Sequence, residues 1–315
     1  MNKRIFVTGG AGYIGTALIP QLLAHGHQVT VYDSLMFRNG DKLIPFFQDA
    51  HFRFMRGDVQ DQDRLVQAMT GHDVIIHLAA LVGFPICREK GPQISHDINV
   101  IGTQNVIDGL TDDQYLLFGS TGSNYGEVQG LCTEDTPLNP LSIYGRTKTE
   151  AERRVMARGN STAFRFATAF GVSPRLRLDL LINDLTYKAV KEGYAVIYEP
   201  HFLRTFIHVR DIARAFLFAI DNQDRMAGQV YNVGSNRMNH SKREICEMIH
   251  TQVPRAHFDY SGSGEDEDKR NYEVSYDKIN RLGFQTSITV DQGIQELIRT
   301  TDVITVDNPY YNVLK

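Results

Sequence analysis

The 315-residue sequence predicts an α/β fold in which helices cover both faces of a doubly wound parallel sheet. Three observations lead to this prediction. A glycine-rich turn follows the first apolar segment, short apolar segments then alternate with helical patterns, and residues 73–78 are apolar almost throughout. Strands of a parallel sheet are buried on both faces, and strict alternation with helices implies right-handed crossovers between them.

The alternation of strand and helix patterns runs through the first 168 residues. Apolar, β-branched and aromatic runs predict strands at residues 3–8, 29–32, 52–55, 73–78, 115–118 and 162–166. Helical patterns lie at residues 61–69, 97–110 and 142–158, and a further one begins directly at the glycine turn.

Beyond residue 168 the alternation loosens, which predicts a second unit. A helical pattern at 178–192 and a strand near 196–198 belong to it, whereas a helix at 211–220 and a strand at 229–233 are expected to return to the main sheet. We therefore expect a main domain of residues 1–168 with 208–234, and a smaller, interwoven C-terminal lobe of residues 169–207 and 235–315.

The glycine turn predicts a site for a dinucleotide. Gly9, Gly12 and Gly15 precede and open the first helical pattern, with Tyr13 and Ile14 between the last two. Glycines permit a tight turn and let a diphosphate approach the helix N-terminus, where unpaired N–H groups and the helix dipole favour negative charge. Three spaced glycines are a weak signal alone, so the prediction depends on the strands around them.

An acidic residue at the end of the second predicted strand supports this site. Asp33 lies eighteen residues after Gly15, where a carboxylate can accept hydrogen bonds from an adenosine ribose. The same carboxylate would repel a 2′-phosphate, so NAD is favoured over NADP, although Arg38 nearby argues the other way. The alternative is that Asp33 only closes the turn after its strand.

A tyrosine and a lysine four residues apart indicate proton-transfer chemistry. Tyr144 and Lys148 share one face of a predicted helix, and an ammonium beside a phenol favours the phenolate. The same spacing recurs at Tyr187 and Lys191 and at the chain end. Only the first pair follows a strand that ends in hydroxyl residues, Ser120 and Thr121, so the other two are expected to be surface or packing residues.

Composition argues against several other classes of protein. The net charge of −4 offers no general attraction to nucleic acid or to an anionic membrane surface, and no apolar stretch approaches the ~20 residues that span a bilayer. The glycine turn follows the N-terminus at once, so no signal peptide is expected. Three scattered cysteines suit a reducing cytoplasm, with neither a disulfide nor a metal site expected.

Together these motifs resemble the extended short-chain dehydrogenase/reductases of the nucleotide-sugar epimerase/dehydratase family. The matching segments are residues 8–15, 57–59, 77–80, 120–126, 144–148, 204–211 and 231–234, together with Asn99. The resemblance implies a Rossmann sheet, NAD as cofactor and a nucleotide-diphosphate sugar as substrate. It also implies a homodimer through the helices at 97–110 and 142–158.

The resemblance also implies roles for particular residues. Tyr144 would be the acid/base, Lys148 would contact the nicotinamide ribose and tune the phenol, and Thr121 would share the proton at the sugar hydroxyl. The remaining cofactor contacts are expected at Asp58, Val59, Leu78, Ala79, Ala80 and Asn99. For Asn99 a helix-bridging role is an open alternative, and for Asp58 closure of a turn is another.

On the substrate side the resemblance implies contacts at Val82, Thr121, Ser123, Thr168, Arg175, Asn183, Arg204 and Arg270. Arg204 and Arg270 are expected to hold the diphosphate, the alternative being that each is a surface cation. The sequence departs from the family pattern in two places. Gly122 and Ser123 stand where family dehydratases have an acidic pair, and Thr168 replaces a substrate-contacting asparagine.

These expectations favour a C4 epimerase that works through a 4-keto intermediate, and the missing acidic pair disfavours dehydration. One alternative is a nucleotide-sugar 4-oxidoreductase that releases a keto sugar. Another, of a different class, is an NAD-binding sensor without catalysis.

Overall fold

A seven-stranded parallel sheet forms the centre of the computed structural model, which describes residues 2–262 and 271–304. The elements of the first half are, in order, β1 (Arg4–Thr8), α1 (Tyr13–Ala24), β2 (Gln28–Asp33), a 3₁₀ helix (Gly40–Gln48), β3 (Phe52–Arg56), α2 (Gln62–Met69), β4 (Val74–His77), α3 (Phe84–His96), a π-helix (Asp97–Ile101), α4 (Gly102–Asp108), β5 (Tyr115–Thr121), a 3₁₀ turn (Gly122–Asn124), β6 (Glu127–Cys132), α5 (Ile143–Ala157), β7 (Ser161–Phe166) and β8 (Thr168–Phe170).

The second half of the chain contains shorter strands and more helices. Its elements are α6 (Leu181–Lys191), β9 (Tyr194–Tyr198), β10 (Leu203–His208), α7 (Val209–Asp221), α8 (Gln223–Met226), β11 (Gln229–Val233), a 3₁₀ turn (Asn236–Met238), β12 (Asn239–Ser241), α9 (Lys242–Gln252), β13 (His257–Ser261), β14 (Asn271–Val274), α10 (Asp277–Arg281), α11 (Val290–Thr300) and a 3₁₀ turn (Thr301–Val303).

The central sheet has the order β11-β7-β5-β4-β1-β2-β3, and each neighbouring pair is parallel. From β1 the chain proceeds to β2 and β3 on one side, and then returns to β4, β5 and β7 on the other. The order therefore reverses between β1 and β4, which confirms the predicted doubly wound fold and places a crevice at their carboxyl ends. The predicted return of β11 to this sheet is also found.

Alternation along β1 shows how the sheet is covered on both faces. Ile5 and Val7 pack in one cluster with Leu18 of α1 and Phe216 of α7. Phe6, between them, points to the opposite face and packs with residues of α2, α4 and α5. This period-2 pattern with both faces apolar is the signature of a sheet strand covered by helices on each side.

The helical stretch before β5 is longer than the sequence predicts. A helix was expected at 97–110, but the structure is helical from Phe84 onward, with a kink at Gly91 (φ 83°) and a π-helical turn at Asp97–Ile101. Pro85, Gly91 and Pro92 obscure the helical pattern because proline and glycine normally interrupt one. Pro85 nevertheless lies in the first turn, where its missing N–H is not needed.

A second apolar cluster lies outside the central sheet, and it unites α6, α9 and α11. Its buried residues include Ile182, Leu185, Ile245, Ile249 and Ile294. The strand predicted near 196–198 belongs here, as β9, and it pairs in parallel with β13. Short pairs such as β9–β13 and β14–β6 were not predicted, because each joins segments that are distant in sequence.

Within residues 2–262 and 271–304, no helix combines the length and the apolar character that crossing a bilayer requires.

A buried ion pair ties α5 to the ends of β5 and β7. Arg165 of β7 donates to both carboxylate oxygens of Glu152, at 2.7 to 3.2 Å, and both side chains are almost fully buried. Ser120 and Asn124 donate to the same carboxylate, at 2.6 and 3.0 Å. Burial lowers the pKa of Arg165, but the Glu152 carboxylate more than reverses this and holds it above its usual range. The pair thus anchors the segment that contains Thr121.

Removing one charge of this pair is expected to destabilise the protein strongly. In Glu152→Gln, Arg165 becomes a buried cation without its counter-charge, which costs about 3 to 5 kcal/mol of unfolding free energy. The matched control is Glu150→Gln on the same helix. Glu150 pairs with the partly exposed Arg154, so this variant should lose less than about 1 kcal/mol of unfolding free energy. Urea unfolding measures both, and equal losses in the two variants would contradict the prediction.

Candidate active site

A pocket lies at the carboxyl ends of the sheet strands, where the strand order reverses. Its wall includes the glycine turn, the residues that follow β2, β3, β4 and β5, and the first turn of α5. The predicted site residues in this wall are Gly9, Gly12, Tyr13, Ile14, Gly15, Asp33, Asp58, Val59, Leu78, Ala79, Ala80, Val82, Thr121, Ser123, Tyr144, Lys148, Thr168 and Arg175.

The glycine turn forms a cradle in which side chains do not fit. Gly9 has a φ of +70°, and a Cβ there would lie 2.6 Å from the backbone nitrogen of Ala79. A Cβ on Gly15 would lie 2.4 Å from the carbonyl oxygen of Gly10. Gly12 is the N-cap of α1 and supplies no capping side chain, so an anion can bind the first N–H groups of the helix. These residues fit the diphosphate of a dinucleotide.

Asp33 lies beside this cradle and also closes the turn after β2. Its Oδ2 accepts a hydrogen bond from the Ala11 amide at 3.0 Å, and its Oδ1 accepts one from the Leu35 amide at 2.8 Å. Burial raises the pKa of Asp33, while these two amides act in the opposite direction. The carboxylate lines the pocket as well, so closing the turn and facing a ribose are compatible roles.

The pocket wall after β4 depends on a buried histidine that sequence analysis left without a role. His77 lies between two threonine hydroxyls, with Nδ1 2.6 Å from Thr8 Oγ1 and Nε2 3.0 Å from Thr103 Oγ1. Thr8 Oγ1 also accepts from the Ala79 amide at 3.2 Å. Burial lowers the pKa of His77 to about 3, so the ring stays neutral and orients the Ala79 backbone at the pocket.

Asn99 is not among the residues that line the pocket, so the cofactor contact expected of it stays a prediction. Its Oδ1 accepts from the Leu81 amide at 2.7 Å, while its Nδ2 donates to the Leu81 carbonyl and to Thr147 Oγ1. The amide thus joins the segment after β4 to α5 and uses its hydrogen-bonding groups there. The helix-bridging alternative agrees with these hydrogen bonds.

The N-terminus of α5 brings the predicted catalytic residues to one wall. The Thr121 hydroxyl accepts from the Ser123 amide at 3.1 Å, and Ser142 caps α5 by accepting from the Gly145 amide at 3.0 Å. A Cβ on Gly145 would lie 3.0 Å from the Ser123 carbonyl oxygen, so glycine permits this close approach. Tyr144 in the first turn and Lys148 one turn later therefore line the pocket beside Thr121.

Lys148 is a buried cation. Its side chain is almost fully enclosed, and Nζ lies 3.9 Å from the centre of the Phe118 ring. Burial lowers the pKa of Lys148 to about 7, although the nearby Glu152 carboxylate acts the other way. An ammonium in such surroundings interacts strongly with any phenolate or ribose hydroxyl at the pocket, because little water screens it.

Arg177 is a pocket residue that the predicted site did not include. Asp179 accepts from its Nε at 3.0 Å and also from its second terminal nitrogen. Burial lowers the pKa of Arg177, but Asp179 and the Tyr144 phenol raise it overall. A Cβ on Gly83 would lie 3.4 Å from Arg177, which places the guanidinium at the Gly83 and Tyr144 side of the pocket. Only the fold brings these segments together.

Two predicted substrate residues lie away from the pocket wall. Asn183 is fully buried, and its side chain accepts from the Gly171 amide and donates to the Arg177 carbonyl. Arg204 is buried on β10, where it donates to the Leu203 carbonyl. Both side chains support neighbouring backbone, and direct contact of either with substrate stays a prediction. Arg270 lies outside the described residues.

Replacing Lys148 by methionine is expected to stabilise the dinucleotide-free protein in a pH-dependent way. The folded pKa of about 7 lies below the ordinary value near 10.4, so folding costs most below pH 7, where the buried amine is charged. This cost falls as pH rises, because the folded protein loses the proton before the unfolded chain does. Lys148→Met should raise the melting temperature by a few degrees at pH 6 and by little at pH 10.

The control for this measurement is Lys191→Met, which removes a partly exposed lysine paired with Asp302. It should change the melting temperature little at either pH. A destabilising effect of Lys148→Met at pH 6 would contradict the burial argument.

Comparisons with known proteins identify the family of this chain. A sequence model of the NAD dependent epimerase/dehydratase family matches residues 5–234. A UDP-glucose 4-epimerase of Halalkalibacterium halodurans is 31% identical, with 78% of each chain covered. A dTDP-glucose 4,6-dehydratase of Streptomyces niveus is 29% identical over 94% of this chain and 91% of that protein. MoeE5, solved in complex with UDP-glucose and NAD, is 29% identical and has a TM-score of 0.81, covering 95% of this chain and 99% of the other. The chain therefore belongs to the NAD-dependent epimerase/dehydratase family, and NAD is its cofactor.

Proposed function

We propose that the protein is a nucleotide-sugar epimerase that acts at C4 by reversible oxidation to a 4-keto sugar. The observation that carries this proposal is the meeting of Thr121, Tyr144 and Lys148 in one wall of the dinucleotide pocket. A hydroxyl, a phenol and an ammonium in that place can move a proton at a sugar hydroxyl. Its relatives include UDP-glucose 4-epimerases, which supports the choice of reaction.

In the proposed mechanism Tyr144 accepts the proton of the sugar hydroxyl as phenolate. The Lys148 ammonium stabilises that phenolate, and Thr121 hydrogen-bonds the same sugar oxygen. NAD, held by the glycine turn and Asp33, would supply the hydride acceptor and donor for the sugar carbon. Between the two hydride transfers the keto sugar rotates in the pocket and presents its other face. Tyr144 then returns the proton to the sugar oxygen, which becomes the new hydroxyl.

The charges at the pocket disfavour dehydration. Elimination of water needs a general acid and a base near C5 and C6, and family dehydratases have an acidic pair directly after the threonine. This chain has Gly122 and Ser123 there. Among the described residues of the pocket wall, the carboxylates are Asp33 and Asp58, which follow β2 and β3 on the adenosine side.

We further propose that residues 1–168 and 208–234 hold NAD, and that residues 169–207 and 235–315 provide the nucleotide-sugar side. The separate apolar cluster around α6, α9 and α11 supports this division. The pocket wall includes Thr168, the first residue of β8, and also Arg175 and Arg177, which lie between β8 and α6. These residues therefore connect the two parts.

Removing the phenol should abolish turnover without removing the cofactor. Tyr144→Phe is expected to lower kcat by at least about 10²-fold, because the sugar proton loses its acceptor, while bound NAD is retained. The control is Tyr187→Phe, which changes the tyrosine of an identical Tyr–Lys spacing on α6, buried in the second cluster. It should keep near-normal kcat, and unchanged turnover in Tyr144→Phe would exclude the proposed role.

The reaction itself is tested by incubating the protein with UDP-glucose and other nucleotide sugars. Epimerisation predicts a C4 epimer, detected by NMR, with NAD needed only in catalytic amount and no net absorbance at 340 nm. Accumulation of NADH in proportion to product would instead identify a 4-oxidoreductase. Binding of NAD without any turnover would favour the sensor.

We also propose a homodimer, formed through the helical stretch that ends in α4 and through α5. Ile94 and Ile101 are seven residues apart on that stretch and are 46% and 40% exposed, so they offer apolar surface that a partner can cover. Burying two apolar side chains of each partner would stabilise such an interface.

A charge at this surface should dissociate the dimer. Ile101→Glu is expected to shift the sedimentation coefficient from that of a dimer to that of a 35.6 kDa monomer. Ile44→Glu, which alters a more exposed isoleucine on the 3₁₀ helix Gly40–Gln48, serves as control and should leave the dimer intact. A wild-type protein that sediments as a monomer at micromolar concentration would refute the proposal.

A further inference from the structure

We propose that Arg175 binds the diphosphate of the dinucleotide rather than that of the sugar substrate, and that its stacking on Phe37 closes the crevice over the glycine turn. This inference rests on NAD binding by the pocket and goes beyond the proposed reaction. It assigns a cofactor role to a residue that the sequence placed on the substrate side.

The backbone around Arg175 is fastened to the first turn of α1. The Arg175 amide donates to Thr16 Oγ1 at 3.2 Å, and Ser173 Oγ donates to the Tyr13 carbonyl at 2.7 Å. Thr16 Oγ1 in turn lies 2.9 Å from the Gly12 carbonyl oxygen. The residue thus enters the pocket at the helix N-terminus, where a diphosphate is expected.

The side chain reaches across this turn to the opposite loop. The guanidinium carbon of Arg175 lies 5.4 Å from the centre of the Phe37 ring. Phe37 belongs to the loop between β2 and the 3₁₀ helix, which Asn39 fastens to the glycine turn by donating to the Ala11 carbonyl at 2.6 Å. Both Arg175 and Phe37 line the pocket, so the contact spans its glycine-turn end.

The backbone of this loop is held in a costly shape. Leu35 and Arg38 have φ values of 57° and 53°, in the left-handed region that side chains other than glycine rarely adopt. Such conformations persist where surrounding contacts enforce them, and they gather at ligand clamps. The Arg175–Phe37 stack and the Asn39 hydrogen bond are contacts of that kind.

Charge complementarity favours a phosphate ligand. Only 2% of Arg175 is exposed. Burial, and then Arg177 nearby, lower its pKa to about 10, so the group remains a cation at neutral pH. The guanidinium donates to the Leu176 carbonyl at 3.0 Å, and a diphosphate between it and the α1 N-terminus would add charge-assisted hydrogen bonds.

Arg175 and Arg177 line one pocket with different neighbours. Arg177 lies beside Gly83 and Tyr144 and pairs with Asp179, whereas the side chain of Arg175 lies over the Phe37 ring and its amide donates to Thr16. The two cations are close enough for Arg177 to help lower the pKa of Arg175. The sequence alone does not distinguish them.

The test measures how firmly the full-length protein holds NAD. The fraction of chains with bound NAD is determined after acid release, and the exchange of bound NAD for excess NADH is followed by NADH fluorescence. Arg175→Met should exchange at least ten-fold faster than the wild type, and Arg175→Lys should recover part of that loss. Phe37→Leu, which leaves the cation but removes the stack, should exchange about two- to five-fold faster. Arg299→Met, an exposed arginine on α11, is the control and should match the wild type.

A second measurement separates the two assignments of Arg175. Calorimetry at saturating NAD gives the affinity for UDP-glucose, and Arg175→Met should change it by less than two-fold. If Arg175→Met exchanged NAD at the wild-type rate but bound UDP-glucose more weakly, the proposal would be overturned in favour of a substrate contact. If Arg175→Met fails to fold, the other two variants decide. NAD exchange at the wild-type rate in both Arg175→Lys and Phe37→Leu would also overturn the proposal. NAD exchange needs no turnover, so failure of the epimerase assay leaves this test unaffected.

Discussion

The reversal of strand order between β1 and β4 is the constraint on which the pocket depends. The helices that follow these two neighbouring strands lie on opposite faces of the sheet, so the carboxyl ends separate and leave a crevice. The glycine turn can enter that crevice only because Gly9 approaches the Ala79 backbone closely. Ala79 is in turn held by Thr8, which bonds to the neutral His77. Cofactor binding therefore depends on backbone geometry more than on any individual side chain.

A second constraint is the burial of several charges around this crevice. Lys148, Arg165 and Arg175 are all nearly inaccessible to water. Arg165 has Glu152 as a strong partner, so its role is to hold β5, β7 and α5 together. Lys148 lies instead against the Phe118 ring, and burial lowers its pKa. The fold therefore tolerates surroundings that disfavour the charged form of this lysine. Functional sites commonly carry such costs, since a preorganised charge in a poorly hydrated pocket acts strongly on its ligand.

Comparison of sequence and structure shows where local patterns suffice. The predicted strands at 29–32, 115–118 and 229–233 are present because β-branched and aromatic runs between turn residues describe buried strands well. The helix Phe84–His96 was missed because Gly91 and Pro92 interrupt its pattern, and β9 and β14 pair with distant segments that local patterns do not reveal. For Asn99 the motif predicts a cofactor contact or a helix bridge, and only the hydrogen bonds to Leu81 and Thr147 show that it joins two elements.

The sequence by itself determined the doubly wound sheet, the dinucleotide cradle and the positions of Thr121, Tyr144 and Lys148. These features arise from residues close in the chain, namely glycines at a helix start, alternating apolar runs and an i, i+4 pair. Tertiary structure alone decided that Arg175 lies over Phe37 while Arg177 pairs with Asp179, that His77 supports the Ala79 backbone, and that Asn183 and Arg204 lie away from the wall. Such outcomes depend on the packing of segments separated by dozens of residues, and no local pattern encodes the distance between them.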